Sequence, residues 1–387
     1  MIIDSLLDTD FYKLTMQQCV FHNFTDVKVE YTFKCRNLPS RIFLPYKDEI
    51  EKEIDDLCKL RFYDAELAYL KKFPFFKEGY LEFLRIFNLN RSFVKVFEKE
   101  GKLNIKIAGT WLNTILFETP ILAIVCQLYS RDNGNISEGQ KRLAEKAYAL
   151  QSYDKPFQFV DFGTRRRYSV EWQEYVISFL KNSLPQNFIG TSNVMFAKQH
   201  HIKPIGTMAH EYIQAMQSLV RLSDSQKHAF QKWAEEYRGK LGIALSDTLG
   251  MDAFLKDFDL YFAKLFDGAR HDSGDPFIWC NKLIKHYEDI GIDPRTKTAV
   301  FSDSLNPVIA MKINDAFFDK IQCSYGIGTN LTNDVGFTVP NIVIKMTRCD
   351  GRPVAKISDS LGKQMCDDKE YLKYLASVFN IPKERLE

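Results

Sequence analysis

Seven times between Phe157 and Asn330 a short apolar run stops in small and polar residues, and a helical stretch follows. The runs are FQFVDFGTRRR, NFIGTSNV, KPIGTMAHE, GIALSDTLG, GARHDSGDP, KTAVFSDSLN and QCSYGIGTN. Repeats of this kind are the signature of strand-then-helix units with parallel strands. An open doubly wound sheet and a closed barrel both satisfy the pattern. An open sheet gathers its polar strand ends at one switch point. Here nearly every strand end is polar, which suits a barrel whose strand ends converge on one mouth. The expected fold class is therefore α/β, an irregular (β/α) barrel over residues 126–337.

The text before the repeats is mixed. Phe11 to His22 reads as a helix capped by Asp8-Thr9-Asp10, and Lys28 to Arg36 alternates as a strand. Asp48 to Leu60 and Tyr63 to Phe73 read as helices, Phe93 to Phe97 and Leu103 to Ala108 as strands. Thr114 to Ser130 is apolar and helical with Pro120 in its middle. After Thr338 the strand-like text NIVIKMTR and PVAKIS precedes a helix near Lys369 to Phe379. This organisation predicts an N-terminal α/β domain over 1–125 that residues 338–387 rejoin.

A formal charge of +2 argues against a broad nucleic-acid face and leaves room for a local phosphate pocket. Eight cysteines occur without a CxxC pair, as expected of reduced thiols in a cytoplasmic protein. Neither a signal peptide nor a stretch of membrane-spanning length is expected.

The chemistry is written at the strand ends. Gly326-Ile327-Gly328-Thr329-Asn330 offers backbone N–H groups and a hydroxyl to a phosphate; a plain βα turn is the bland alternative. Arg270-His271-Asp272-Ser273-Gly274-Asp275 holds a cation and carboxylates in one tight turn, more than a helix cap requires. Ser302-Asp303-Ser304 is similar, and two acidic strand ends suit ribose hydroxyls or a magnesium ion carried on phosphates. Asp161-Phe162-Gly163-Thr164-Arg165-Arg166-Arg167 should send at least one arginine into the mouth, and Phe162 is either a stacking ring or core. In Gly206-Thr207-Met208-Ala209-His210-Glu211 a histidine opens a helix at a strand end, where catalysis competes with a structural role. His200 and His201 lie in a loop and receive no role.

Taken in order, DTDFYKLTMQ, EYTFKCR, DFGTRRRYS, GTSNV, GTMAHEY, RHDSGDP, FSDSLN and YGIGTNLTND resemble the nicotinate phosphoribosyltransferase family over nearly the whole chain. The resemblance implies an enzyme that joins nicotinate to 5-phosphoribosyl 1-pyrophosphate, giving nicotinate mononucleotide and pyrophosphate for NAD synthesis. It implies ATP as co-substrate, Mg2+, a phosphohistidine and a homodimer with shared active sites, with neither nucleic acid nor membrane as partner. By motif, His210 resembles the phosphorylated histidine, with Arg270 and Asp272 catalytic beside it. Tyr12, Phe162, Arg165, Ser192, Thr207 and Arg270 resemble nicotinate contacts, Tyr12 coming from the neighbouring subunit. Arg36, Asp272, Asp303, Gly328 and Thr329 resemble phosphoribosyl-pyrophosphate contacts. The amide-using and quinolinate-using relatives are the rival readings. Against the amide stands Gly190-Thr191-Ser192-Asn193, where the amide-using relatives resemble an aspartate; Ser192 can instead donate to a carboxylate.

Overall fold

The computed structural model describes residues 1–360, 366 and 368–386. They form two compact units. The first comprises Met1–Tyr153, Phe159–Gly206 and Ile327–Lys345; the second comprises Asp154–Gln158, Thr207–Gly326 and the chain from Met346 onward.

All seven repeats become strands followed by helical turns. In the first unit β4 (Phe159–Asp161), β5 (Phe188–Thr191) and β6 (Lys203–Pro204) run parallel, in the order β6-β5-β4. In the second, β7 (Ile243–Leu245), β8 (Gly268–His271), β9 (Thr298–Phe301) and β10 (Gln322–Ile327) run parallel in chain order, β10 ending at the boundary. The strands are short because each must bury both faces and then turn at once into polar residues.

A separate antiparallel sheet holds β1 (Lys28–Cys35), β2 (Val94–Lys99) and β3 (Lys102–Thr110), with β3 between the others. On its far side β1 is flanked by β11 (Ile342–Cys349). Before β11 starts, the Arg36 N–H donates to the Asn341 carbonyl at 3.0 Å. β11 leaves the first unit after Lys345, and its end pairs with β12 (Arg352–Pro353) in the second. This is the α/β class expected from the repeats, with a parallel β/α series and a separate antiparallel sheet.

Three local expectations change. Asp10 occupies the N-cap position of helix Phe11–Asn23 but makes no capping hydrogen bond, because its carboxylate is used elsewhere. Pro120 does not sit mid-helix: a helix ends in a 3₁₀ turn at Phe117 and a new one starts at Glu118. Proline is tolerated in that first turn, where N–H groups lack helical partners. Together these pieces make Trp111–Arg131 long and apolar enough to cross a membrane, contrary to the expectation from length. Yet 89% of its apolar window is buried inside the protein, as in a core helix.

Candidate active site

The second unit assembles its polar groups at consecutive strand ends. β7 delivers Asp247, β8 delivers Asp272 and Ser273, β9 delivers Ser302 and Asp303, and helix His210–Leu219 opens on His210. His210 is buried, with Nε2 2.8 Å from Asp247 Oδ1 and 3.6 Å from Asp272 Oδ2. Ser273 Oγ donates to Asp247 Oδ2 at 2.6 Å, and Ser302 Oγ donates to Asp272 Oδ1 at 2.9 Å. Asp303 accepts from Ser304 Oγ at 3.1 Å and stays partly open to solvent. Thr207 sends its hydroxyl to the Ile243 carbonyl at 2.8 Å, so its remaining role toward a ligand is as acceptor.

Lys356 joins this cluster without having been anticipated. Its ammonium stands 2.5 Å from Asp247 Oδ2 and 2.8 Å from His210 Nε2. PVAKIS reads as a strand, but only Arg352–Pro353 is one, and Lys356 projects inward beyond it. A lysine inside an apolar stretch was the available signal. Asp247 also carried one, as an acid at a strand end of the repeat series.

The environment fixes the charges. Burial and then Lys356 push His210 down to about 4, against the opposing pull of Asp247 and Asp272. Its imidazole is therefore neutral at pH 7. Burial raises Asp272, but Arg270, with His210 and Lys356, outweighs it and holds the carboxyl at about 2. Burial likewise opposes ionisation of Asp247, and Lys356 and His210 overcome it. Arg270 keeps a buried Nε that has no hydrogen-bond partner among the described residues, an arrangement suited to an incoming anion. His210, Asp247 and Asp272 place ligand-type atoms within 4.8 Å of one another. The fixed charge of Lys356 stands against two of those groups and repels a divalent cation, so we assign no metal to this trio.

The first unit holds a different set. Asp10 gathers three of the singled-out residues: Ser192 Oγ donates to Oδ1 at 2.6 Å, Tyr12 Oη donates to Oδ2 at 3.0 Å, and Arg165 Nε lies 3.5 Å from Oδ2. Arg165 also lies 5.9 Å from the Tyr12 ring centroid and 3.4 Å from Glu118. Glu118 pairs with the buried Lys13 at 2.6 Å. Burial raises Glu118, and Lys13 with Arg165 brings it down to about 2. Within the chain, then, Tyr12 and Arg165 are neighbours, and Ser192 has an acid beside it although its own motif has none.

The arginine run divides. Arg167 is wholly buried and meets Asp8 through two hydrogen bonds of 2.7 and 2.6 Å. Six residues close a ring: Arg167 donates to Asp8 and to Gln173, Gln173 and Thr191 donate to Asp161, Asn193 N–H donates to Thr191, and Asn193 Nδ2 donates to Asp8. Burial raises the Asp161 carboxyl to about 6 despite these donors. Arg166 gives its carbonyl to Asn333. Arg165 keeps partial exposure beside Tyr12. Phe162 is half-buried, and its N–H donates to the Ile327 carbonyl at 2.9 Å. A Cβ on Gly328 would stand 3.0 Å from the Phe162 carbonyl oxygen, tight enough that this backbone would have to give by a few tenths of an ångström. Thr329 opens the short helix Thr329–Thr332. Arg36 is half-buried at the end of β1.

Known proteins resemble this chain in sequence and in fold. The model of the nicotinate phosphoribosyltransferase (NAPRTase) family matches residues 157–383, and that of its N-terminal domain matches 7–126. A nicotinate phosphoribosyltransferase of Burkholderia mallei is 53% identical over 98% of each chain. One of Cupriavidus necator is 51% identical over 98% of this chain and 99% of its own. The crystal structure of a Vibrio cholerae nicotinate phosphoribosyltransferase superposes with a TM-score of 0.95 at 40% identity, covering 100% of this chain and 96% of that one.

Proposed function

This chain belongs to the nicotinate phosphoribosyltransferase family, and on that premise we propose that it joins nicotinate to 5-phosphoribosyl 1-pyrophosphate with ATP hydrolysis coupled through His210. The observation that carries the coupling is a buried, neutral imidazole held between carboxylates at a cluster of strand ends. Asp247 can only accept and Lys356 can only donate, so they ask opposite things of Nε2; with the hydrogen given to the Asp247 contact and the ammonium spent on Asp247 Oδ2, the Nδ1 lone pair is left for chemistry. That pair forms a bond to the γ-phosphorus of ATP as the bond to the ADP oxygen breaks and its electrons leave with ADP. Water later releases the phosphoryl group as inorganic phosphate.

The transferase step needs no general base. The pyridine nitrogen of nicotinate attacks C1′ of the ribose with its own lone pair, and pyrophosphate departs with the bonding electrons. What the protein supplies is placement and charge. The proposal assigns the nicotinate carboxylate to Arg270 through its unpartnered Nε, with Thr207 nearby. The other nicotinate contacts, Tyr12, Phe162 and Arg165, lie in the first unit, where Ser192 gives its hydroxyl hydrogen to Asp10 rather than to a ligand. Asp272 and Asp303 are assigned to the ribose hydroxyls, Gly328 and Thr329 to the 5′-phosphate, and Arg36 to pyrophosphate. Mg2+ would enter on the phosphates of the substrates. The product feeds NAD synthesis, and a homodimer would share its sites, Tyr12 and Arg36 reaching the neighbouring copy.

Pyrophosphate release, compared with nicotinate and nicotinamide as acceptors, tests the reading. A preference for nicotinamide would overturn it. Mixing inactive Tyr12→Ala and Asp272→Ala proteins tests sharing, since exchanged dimers should regain activity.

A further inference from the structure

The segment that bears Lys356 is gripped on both sides. Gln217 stands seven residues after His210, two turns along the same helix face. Its side chain donates to the Ala355 carbonyl at 2.8 Å and accepts from the Ala355 N–H at 2.9 Å. On the other side the Ile357 N–H donates at 2.9 Å to the carbonyl of Thr248, the residue after Asp247. Lys356 is thus tied through one neighbour to the helix of His210 and through the other to the segment of Asp247. Its buried ammonium meets both side chains.

Resting on the phosphohistidine reading of His210, we propose that Lys356 is a positioning residue for that histidine: its ammonium orients the ring against Asp247 and denies it a second proton. The charged groups that face the imidazole are Asp247 and Asp272, both negative, and Lys356, with Arg270 influencing Asp272. Remove the lysine and two carboxylates confront the ring, with Arg270, beside Asp272, left to balance them. They then draw a proton onto Nδ1. An imidazolium has no lone pair, so the bond to phosphorus cannot form. Lys356 only donates and Asp247 only accepts, so Lys356 spends its hydrogen bond on Asp247 Oδ2 and repels any further positive charge at the ring.

The test uses full-length protein with ¹³C-labelled histidine, the His210 signal being assigned by its loss in His210→Ala among the seven histidines. In the wild type this signal should stay neutral from about pH 5.5 to 9. In Lys356→Met its titration should move up by about two units. The rate of labelling from γ-labelled ATP should fall about tenfold at about pH 5 and recover by about pH 7.5. Lys356→Arg keeps the charge, so it should slow labelling without moving the pH limb. Gln217→Ala loosens the lysine without removing it and should give an intermediate shift, which serves if Lys356→Met does not fold. Folded Lys356→Met or Gln217→Ala protein whose His210 titrates as in the wild type overturns the inference. Absence of label from wild type sinks the phosphohistidine reading instead, while the titration still judges Lys356.

Discussion

In the first unit Asp8 and Arg167 meet through two hydrogen bonds with neither side chain exposed. In the second, Lys356 meets Asp247 at 2.5 Å, yet a histidine nitrogen shares the ammonium and Asp272 beside it remains partly open. Both regions bury opposite charges. In the first, the Asp8 carboxylate is engaged by Arg167 and Asn193 in a closed ring of six residues that holds three chain segments. In the second, an imidazole is kept neutral and Asp272 stays partly open; a buried arginine Nε without a partner among the described residues occurs in both, at Arg167 and at Arg270. A closed set of charges fixes a fold; a set left incomplete is fit for a substrate.

The sharpest way to break this contrast is to remove one member of each set. His210→Ala should abolish acid-labile labelling from γ-labelled ATP while lowering unfolding free energy by no more than about 2 kcal/mol. Equal labelling would remove the histidine from the chemistry. Arg167→Met should do the reverse. It strands a buried Asp8 carboxylate and should cost about 3–5 kcal/mol in denaturant unfolding; a loss below about 1 kcal/mol would show that the ring is not structural.

Acidity separates the regions next. The folded state holds His210 at about 4, below the ordinary value of about 6.5 for an unfolded histidine. The unfolded chain therefore binds more protons between those values, and stability is present in full above about pH 6.5 and falls as pH drops toward 4. Wild type should lose on the order of 2–3 kcal/mol more than His210→Gln across that window. Parallel stability curves for the two proteins would contradict the neutral-histidine account. The smallest effect belongs to Ser192. Its hydroxyl is committed to Asp10, so Ser192→Ala should cost about 1–2 kcal/mol of stability. It should change the nicotinate preference by less than about tenfold; a larger change would restore Ser192 as a direct ligand contact.

The seven strand ends were legible because apolar runs that stop in polar residues are local features. His210, Asp272 and Arg270 were legible for the same reason, each lying in a strand-end motif. Asp10 and Asp8 read as helix-cap residues, since short polar side chains before an apolar helix are ordinary caps; only the fold brings Ser192 and Arg167 to them. Three adjacent arginines could not be ranked from text, because their fates depend on partners 47 and 159 positions away. Lys356 was hidden in strand-like text. The Gln217 side chain, 138 residues before Ala355, takes up both backbone groups of that neighbour.

The first unit is closed by residues 327–345 although it begins at Met1. Chains emerge from the ribosome at about 5–20 residues per second. Helix Phe11–Asn23 thus exists for about 15 to 65 s before its unit has all its parts. During that time Asp8 awaits Arg167, and β1 lacks the neighbour that β11 will provide. An unpaired β1 edge invites association with other nascent chains. The unit begun first thus waits for its last strand until most of the chain has been made.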